Sequence, residues 1–301
     1  MRSKLALVFL VASARVAHAG DPKFEYGAPD EVKEVKNVEW HATAEAGLVL
    51  TTGNSETTSA TGGIKVSRKQ HENKISFEAS GAYAKSAIRV LLDKNGNGLI
   101  DNAGEITTED TVMTEQIASK LRYDRFLTEL NSVFVAGLAA RDLPAGKESV
   151  YGVQVGYSRN IHKTKTSESV AEIGYDFSRE DLTAGPPVAI HSGRLFVGHK
   201  AAMAPGTDVD MSLELLTNFN RETLPTGKDG GPLNDTRATF KIGISAKIGK
   251  SLAVQTSIEA HFDNRPGPLT VKNLAMGYVP EASKVDTIMK AALIYTFAGT
   301  K

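Results

Sequence analysis

The sequence predicts an all-β protein, a twelve-stranded antiparallel transmembrane β-barrel. Three observations carry that expectation. From Glu39 onward, apolar residues recur at every second position, the period of a strand. The opposite face of each segment is too charged for a packed core and suits a water-lined lumen. The links between segments broadly alternate between short and long, as the two ends of a membrane barrel do.

Taken in order, residues 1–19 read as a secretory signal peptide. Arg2 and Lys4 precede an apolar run from Leu5 to Ala14, and Ala17-His18-Ala19 offers a small-x-small cleavage site before Gly20. Residues 20–38, "GDPKFEYGAPDEVKEVKNV", are polar and proline-bearing, a periplasmic lead-in. The barrel is expected over 39–297, with strands at 39–52, 57–69, 74–86, 111–126, 131–141, 148–160, 168–179, 188–202, 207–219, 235–248, 251–264 and 284–297. The clearest is "LAVQTSIEAHFD". Leu252, Val254, Thr256, Ile258, Ala260 and Phe262 share one face, while Ala253, Gln255, Ser257, Glu259, His261 and Asp263 share the other; in "TRATFKIGISAKI" Arg237, Thr239 and Lys241 likewise oppose Ala238, Phe240 and Ile242. A slip of one residue would turn every charge to the wrong side. The segment 188–202 fits least well, because Arg194 and Phe196 fall on the same face.

The alternation assigns sides. Lys65, Glu78, Lys120, Arg122, Glu172, Asp176, Glu214, Lys241, Glu259 and Lys290 should point into the lumen. Tyr83, Tyr123, Tyr151, Tyr157, Tyr175, Phe177, Phe262 and Phe297 should lie on the apolar face near strand ends, as an aromatic girdle. Strands of about ten or more residues have the length that a tilted crossing needs. Closure satisfies every backbone group without a disulfide, and the chain has no cysteine.

Composition narrows the function. Lys and Arg number 35 and so do Asp and Glu, so no net field favours a nucleic-acid partner, and membrane lipids are the expected neighbours. Histidines 41, 71, 162, 191, 199 and 261 stand singly, without the spacing of a transition-metal site. The segment 91–105, "LLDKNGNGLIDNAGE", resembles a calcium loop. Asp93, Asn95, Asn97 and Asp101 fall at ligand positions and Gly98 at the turn, but position 12 is Gly104 and Glu105 follows one residue late. No amphipathic helix brackets it, so the expectation is a structural Ca²⁺ tie through Asp93, Asn95, Asn97, Asp101 and Glu105, not a sensor. No catalytic residue is nominated. A lipid hydrolase would need an outward Ser–His pair near the outer leaflet, and no Gly-x-Ser-x-Gly elbow occurs. The expected role is a non-enzymatic envelope or pore-like protein, its alternatives being that hydrolase and a structural or adhesive protein acting through loops 87–110, 220–234 and 265–283.

Residues 39–69, "EWHATAEAGLVLTTGNSETTSATGGIKVSRK", resemble the start of the family of uncharacterised outer-membrane proteins labelled salt-induced outer membrane protein. The likeness rests on Trp40, on "AEAGLVL" and on the turn Gly53-Asn54-Ser55-Glu56-Thr57, and extends loosely to residue 297. It implies a β-barrel in the outer membrane of a Gram-negative bacterium, delivered by the outer-membrane assembly machinery, with no catalytic or substrate residues to carry over. Two features depart from that pattern: "AGTK", residues 298–301, continues past Phe297 as a C-terminal extension, and the insertion at 87–110 is long.

Overall fold

The computed structural model describes residues 38–51, 56–91, 96, 106–143, 146–183, 185–223, 229–266 and 283–300. The expected signal peptide and nearly all of the lead-in lie outside these residues. Among the described residues there is no helix. The strands are β1 (Glu39–Thr51), β2 (Glu56–Gln70), β3 (Asn73–Leu91), β4 (Ile106–Thr128), β5 (Asn131–Asp142), β6 (Lys147–Lys163) and β7 (Ser167–Leu182). There follow β8 (Val188–Ala204), β9 (Thr207–Asn218), β10 (Glu222–Thr223), β11 (Asp229–Gly230), β12 (Thr236–Lys247), β13 (Leu252–Asp263) and β14 (Val285–Thr300). Twelve of them close into one antiparallel barrel in sequence order, while β10 and β11 form a small separate hairpin.

The seam pairs β1 with β14, from Glu39 opposite Thr300 to Ala46 opposite Leu293. The closing strand therefore runs to Thr300 and not to Phe297, so residues 298–300 belong to the barrel and are no extension. The reason is register: β1 begins at Glu39, and its first three residues need partners for their backbone groups.

The links 71–72, 129–130, 164–166, 205–206 and 248–251 are all short and lie at one end of the barrel. At two of them the backbone takes a positive φ, 53° at His71 and 80° at Gly206, the conformation tight hairpin turns require. The opposite end carries the longer links, including 92–105, 219–235 and 264–284. There β3 and β4 overrun the rim. β2 pairs with β3 as far as Ala87, whereas β3 and β4 stay paired up to Leu91 and Ile106. The expected ends at 86 and 111 fall short because this ladder supports itself beyond the wall.

The barrel is apolar outside and polar within. Ile64, Leu121, Val155, Ile173, Leu195, Phe240 and Leu293 are exposed on the outer wall, while Lys65, Arg122, Gln154, Glu172, Asp176, Arg194 and Gln255 are buried inside. A soluble sandwich would bury the apolar set; a lipid-facing barrel turns it outward. The aromatic residues expected on the outer face lie there, Tyr83, Tyr123, Tyr151, Tyr157, Tyr175, Phe262 and Phe297 exposed and Phe177 half-buried.

Candidate functional site in the lumen

Strand alternation places one charged face of each segment inside the wall, and the closed register brings these faces together. All ten residues expected in the lumen lie there or share its strand faces, and most are ion-paired. In the middle of the barrel Glu172 on β7 sits between two arginines. Arg122 Nη2 donates to Glu172 Oε1 at 2.8 Å and to Asp124 Oδ1 at 2.7 Å, and Arg194 Nη1 donates to Glu172 Oε2 at 2.8 Å. Arg194 Nε donates to Glu214 Oε1 at 2.5 Å. Arg122, Asp124, Glu172 and Arg194 are buried and hold one another in bidentate, charge-assisted hydrogen bonds, while Glu214 stays partly exposed.

An aromatic floor supports it. The Phe134 ring lies 4.0 Å from Arg122 Cζ and 5.5 Å from Arg194 Cζ, and Phe196 lies 5.3 Å from Arg194 Cζ. That contact explains the segment 188–202, where Arg194 and Phe196 share a face: the ring lies against the cation inside the lumen. Gly156 makes room for the floor, since a Cβ there would come within 2.7 Å of Phe134.

A second group completes the crossing. Glu259 Oε1 is 2.7 Å from Lys241 Nζ and 2.9 Å from His261 Nε2, and its Oε2 is 3.7 Å from Lys290 Nζ. Lys65 Nζ is 3.2 Å from Glu78 Oε1. Lys120 interacts electrostatically with both Glu214 and Glu78, and Lys241 with the same two carboxylates, so charge runs from β3 and β4 across to β9 and β12.

A third group lies toward the long-loop end. Arg237 Nη1 donates to Glu180 Oε1 at 2.8 Å, Lys147 Nζ is 3.2 Å from Glu180 Oε2, and Lys147 Nζ is 3.8 Å from Asp263 Oδ2. These contacts bridge β6 and β7 to β12 and β13, with β8 and β9 lying between them around the wall. Arg237 to Glu180 and Lys147 to Asp263 are struts across the lumen, not cross-strand pairs. Leu182, Val188 and Ile190 form an apolar cluster on the same side.

Sequence reasoning misses Phe134, Lys147 and Glu180, places Arg237 and Asp263 on the polar faces of their strands without their partners, and marks Arg194 only as sharing a face with Phe196. That shared face is the one local signal; the struts depend on closure, which no local pattern encodes. The expected calcium ligands Asp93, Asn95, Asn97, Asp101 and Glu105 lie outside the described residues, and strands β3 and β4, not helices, flank them. His261 faces the lumen beside Glu259, as expected.

The outer wall does carry a Ser–His pair. Ser169 Oγ lies 2.7 Å from His199 Nδ1, directly opposite across β7 and β8. Both residues share the parity of exposed Ile173 and Leu195, so they face outward, next to the short link 164–166. Among the described residues no carboxylate forms an ion pair with His199.

A family profile described as "Protein of unknown function, DUF481" matches residues 44–297. No curated protein matches the chain. Among solved structures, a NanC porin is 11% identical, with 85% of this chain and 98% of that chain covered and a TM-score of 0.44. An outer membrane protein of Vibrio cholerae, OmpT, is 10% identical with coverage of 87% and 97% and a TM-score of 0.36. The translocator domain of the autotransporter NalP from Neisseria meningitidis is 13% identical with coverage of 90% and 92% and a TM-score of 0.38.

Proposed function

This chain belongs to the DUF481 family of proteins of unknown function, and from that premise we propose that it is a non-enzymatic, pore-like barrel of the Gram-negative outer membrane whose lumen is held shut by ion pairs. The observation that carries the reading is the strut from Lys147 and Glu180 to Arg237 and Asp263, standing over the Arg122–Glu172–Arg194 cluster. A lumen that merely needed filling would be filled as well by apolar side chains, because desolvating charges offsets their attraction. Charges that hydrate again when separated suit a passage that opens. Both signs line the lumen, so an open state would discriminate weakly between anions and cations. The long-loop end faces outside the cell and the short turns face the periplasm, as in other outer-membrane barrels. The assembly machinery inserts the chain, and a Ca²⁺ tie at 93–105 braces the projecting hairpin.

The test is single-channel conductance in a planar bilayer, comparing wild type with Glu180→Gln. Rare or absent steps in wild type and frequent steps in the variant support the plug. A large steady conductance in wild type would overturn it. Silence from both, in protein shown to be inserted, would remove the pore and leave the outer loops as the working surface.

A further inference from the structure

We propose that the outer wall retains one phosphorylated glycolipid of the lipid A type, in a groove across β4 to β7 headed by Arg179. The groove measures about 390 Å³; Gly137 and Ala139 form its floor, Leu121 one wall, and Tyr151 and Phe177 the other. It exists because β5 carries small residues where neighbouring strands carry large ones: a Cβ at Gly137 would meet nothing within 4 Å. An acyl chain fills such a space better than a second protein would, since the lining is apolar and faces hydrocarbon.

Arg179 makes the groove selective. It lies beside Tyr151 in the β6–β7 ladder, toward the long-loop end, and its side chain is 57% exposed. Its contact with Asp181 is made through Nε at 3.4 Å, and Asp181 also accepts from Ser149 at 2.8 Å. Among the described residues, neither terminal nitrogen of Arg179 meets a protein partner. The guanidinium fork is thus presented at the head of an apolar groove, the geometry that binds a phosphate with two parallel hydrogen bonds. The site rests on the outer-membrane orientation proposed above, which puts the long-loop end in the outer leaflet.

The experiment is native mass spectrometry of the refolded full chain, exchanged into detergent with purified lipid A, beside Arg179→Gln and Gly137→Leu. One retained lipid A in wild type, with retention about tenfold lower in each variant, supports the site. Equal retention in all three proteins overturns it. Displacement by an equal concentration of phosphatidylglycerol also overturns it, since an ordinary phospholipid would then be the occupant. Should Gly137→Leu fail to fold, Arg179→Lys keeps the charge without the fork and should lose most of the retention. Insertion into vesicles is measured separately: a chain that inserts but retains no lipid A sinks the groove alone, and one that does not insert sinks the outer-membrane reading with it.

Discussion

The middle and the mouth of the lumen are built from the same residue types and hold their charges differently. In the middle, Glu172 and Arg194 side chains are 1% and 2% exposed, and each carboxylate oxygen of Glu172 meets a guanidinium. At the mouth, Lys147 and Asp263 are 20% and 24% exposed and lie 3.8 Å apart. The middle is anchored on Phe134 and Phe196, whereas the mouth relies on long side chains reaching across the lumen. Water competes for the Lys147–Asp263 pair and hardly reaches Glu172 and Arg194. Under the pore-like reading proposed above, structure belongs to the middle and movement to the mouth.

The sharpest way to break that comparison is Glu172→Ala. It leaves Arg122 and Arg194 without their shared partner, and removing one member of a buried pair costs roughly 3–5 kcal/mol. Urea unfolding of the barrel in detergent should show a loss of that order. A loss below about 1 kcal/mol would mean that the middle is as hydrated as the mouth.

The mouth should respond in the opposite way. Asp263→Asn removes a partly exposed partner of Lys147 and should cost about 1 kcal/mol or less. Opening events in a bilayer should nevertheless become more frequent, and raised salt should increase them in wild type by screening the same pairs. Unchanged gating in both experiments would move the barrier into the middle cluster.

Much of this architecture is legible in the sequence. Period-two alternation places Lys65, Lys120, Glu172 and Glu259 inside and Tyr151 and Phe297 outside, because one residue of slip would reverse every side. The expected strands match those of the barrel within a few residues, except where β3 and β4 support each other beyond the rim and where β14 runs on to Thr300. The struts are not legible. Lys147 and Asp263 are far apart in sequence and meet only once the last strand has closed on the first. The groove is hidden for a related reason: Gly137 and Ala139 read as ordinary small strand residues until their neighbours on β4 and β6 are in place.

A smaller effect is expected at the projecting hairpin. Calorimetric titration should detect Ca²⁺ only in the millimolar range, as befits a site lacking the carboxylate at position 12, and Asp93→Asn should weaken it further. Heat-free titration of wild type up to that range would remove the calcium tie and leave a polar turn.

The smallest effect is expected at Ser169, and it tests the hydrolase alternative directly. The Ser169–His199 hydrogen bond supplies a nucleophile and a base at 2.7 Å. A working dyad also needs a group that orients the histidine and donors for the oxyanion. His199 has no carboxylate partner among the described residues, and backbone N–H groups along β7 and β8 are committed to the ladder. The pair also lies at the short-turn end, which in the orientation proposed above is away from the outer leaflet where a lipid hydrolase would need it. Ser169→Ala should therefore leave phospholipid hydrolysis by purified protein at the background of an empty preparation, as wild type does. Hydrolysis by wild type that disappears in Ser169→Ala would make the outer wall an active site and reduce the lumen to a scaffold.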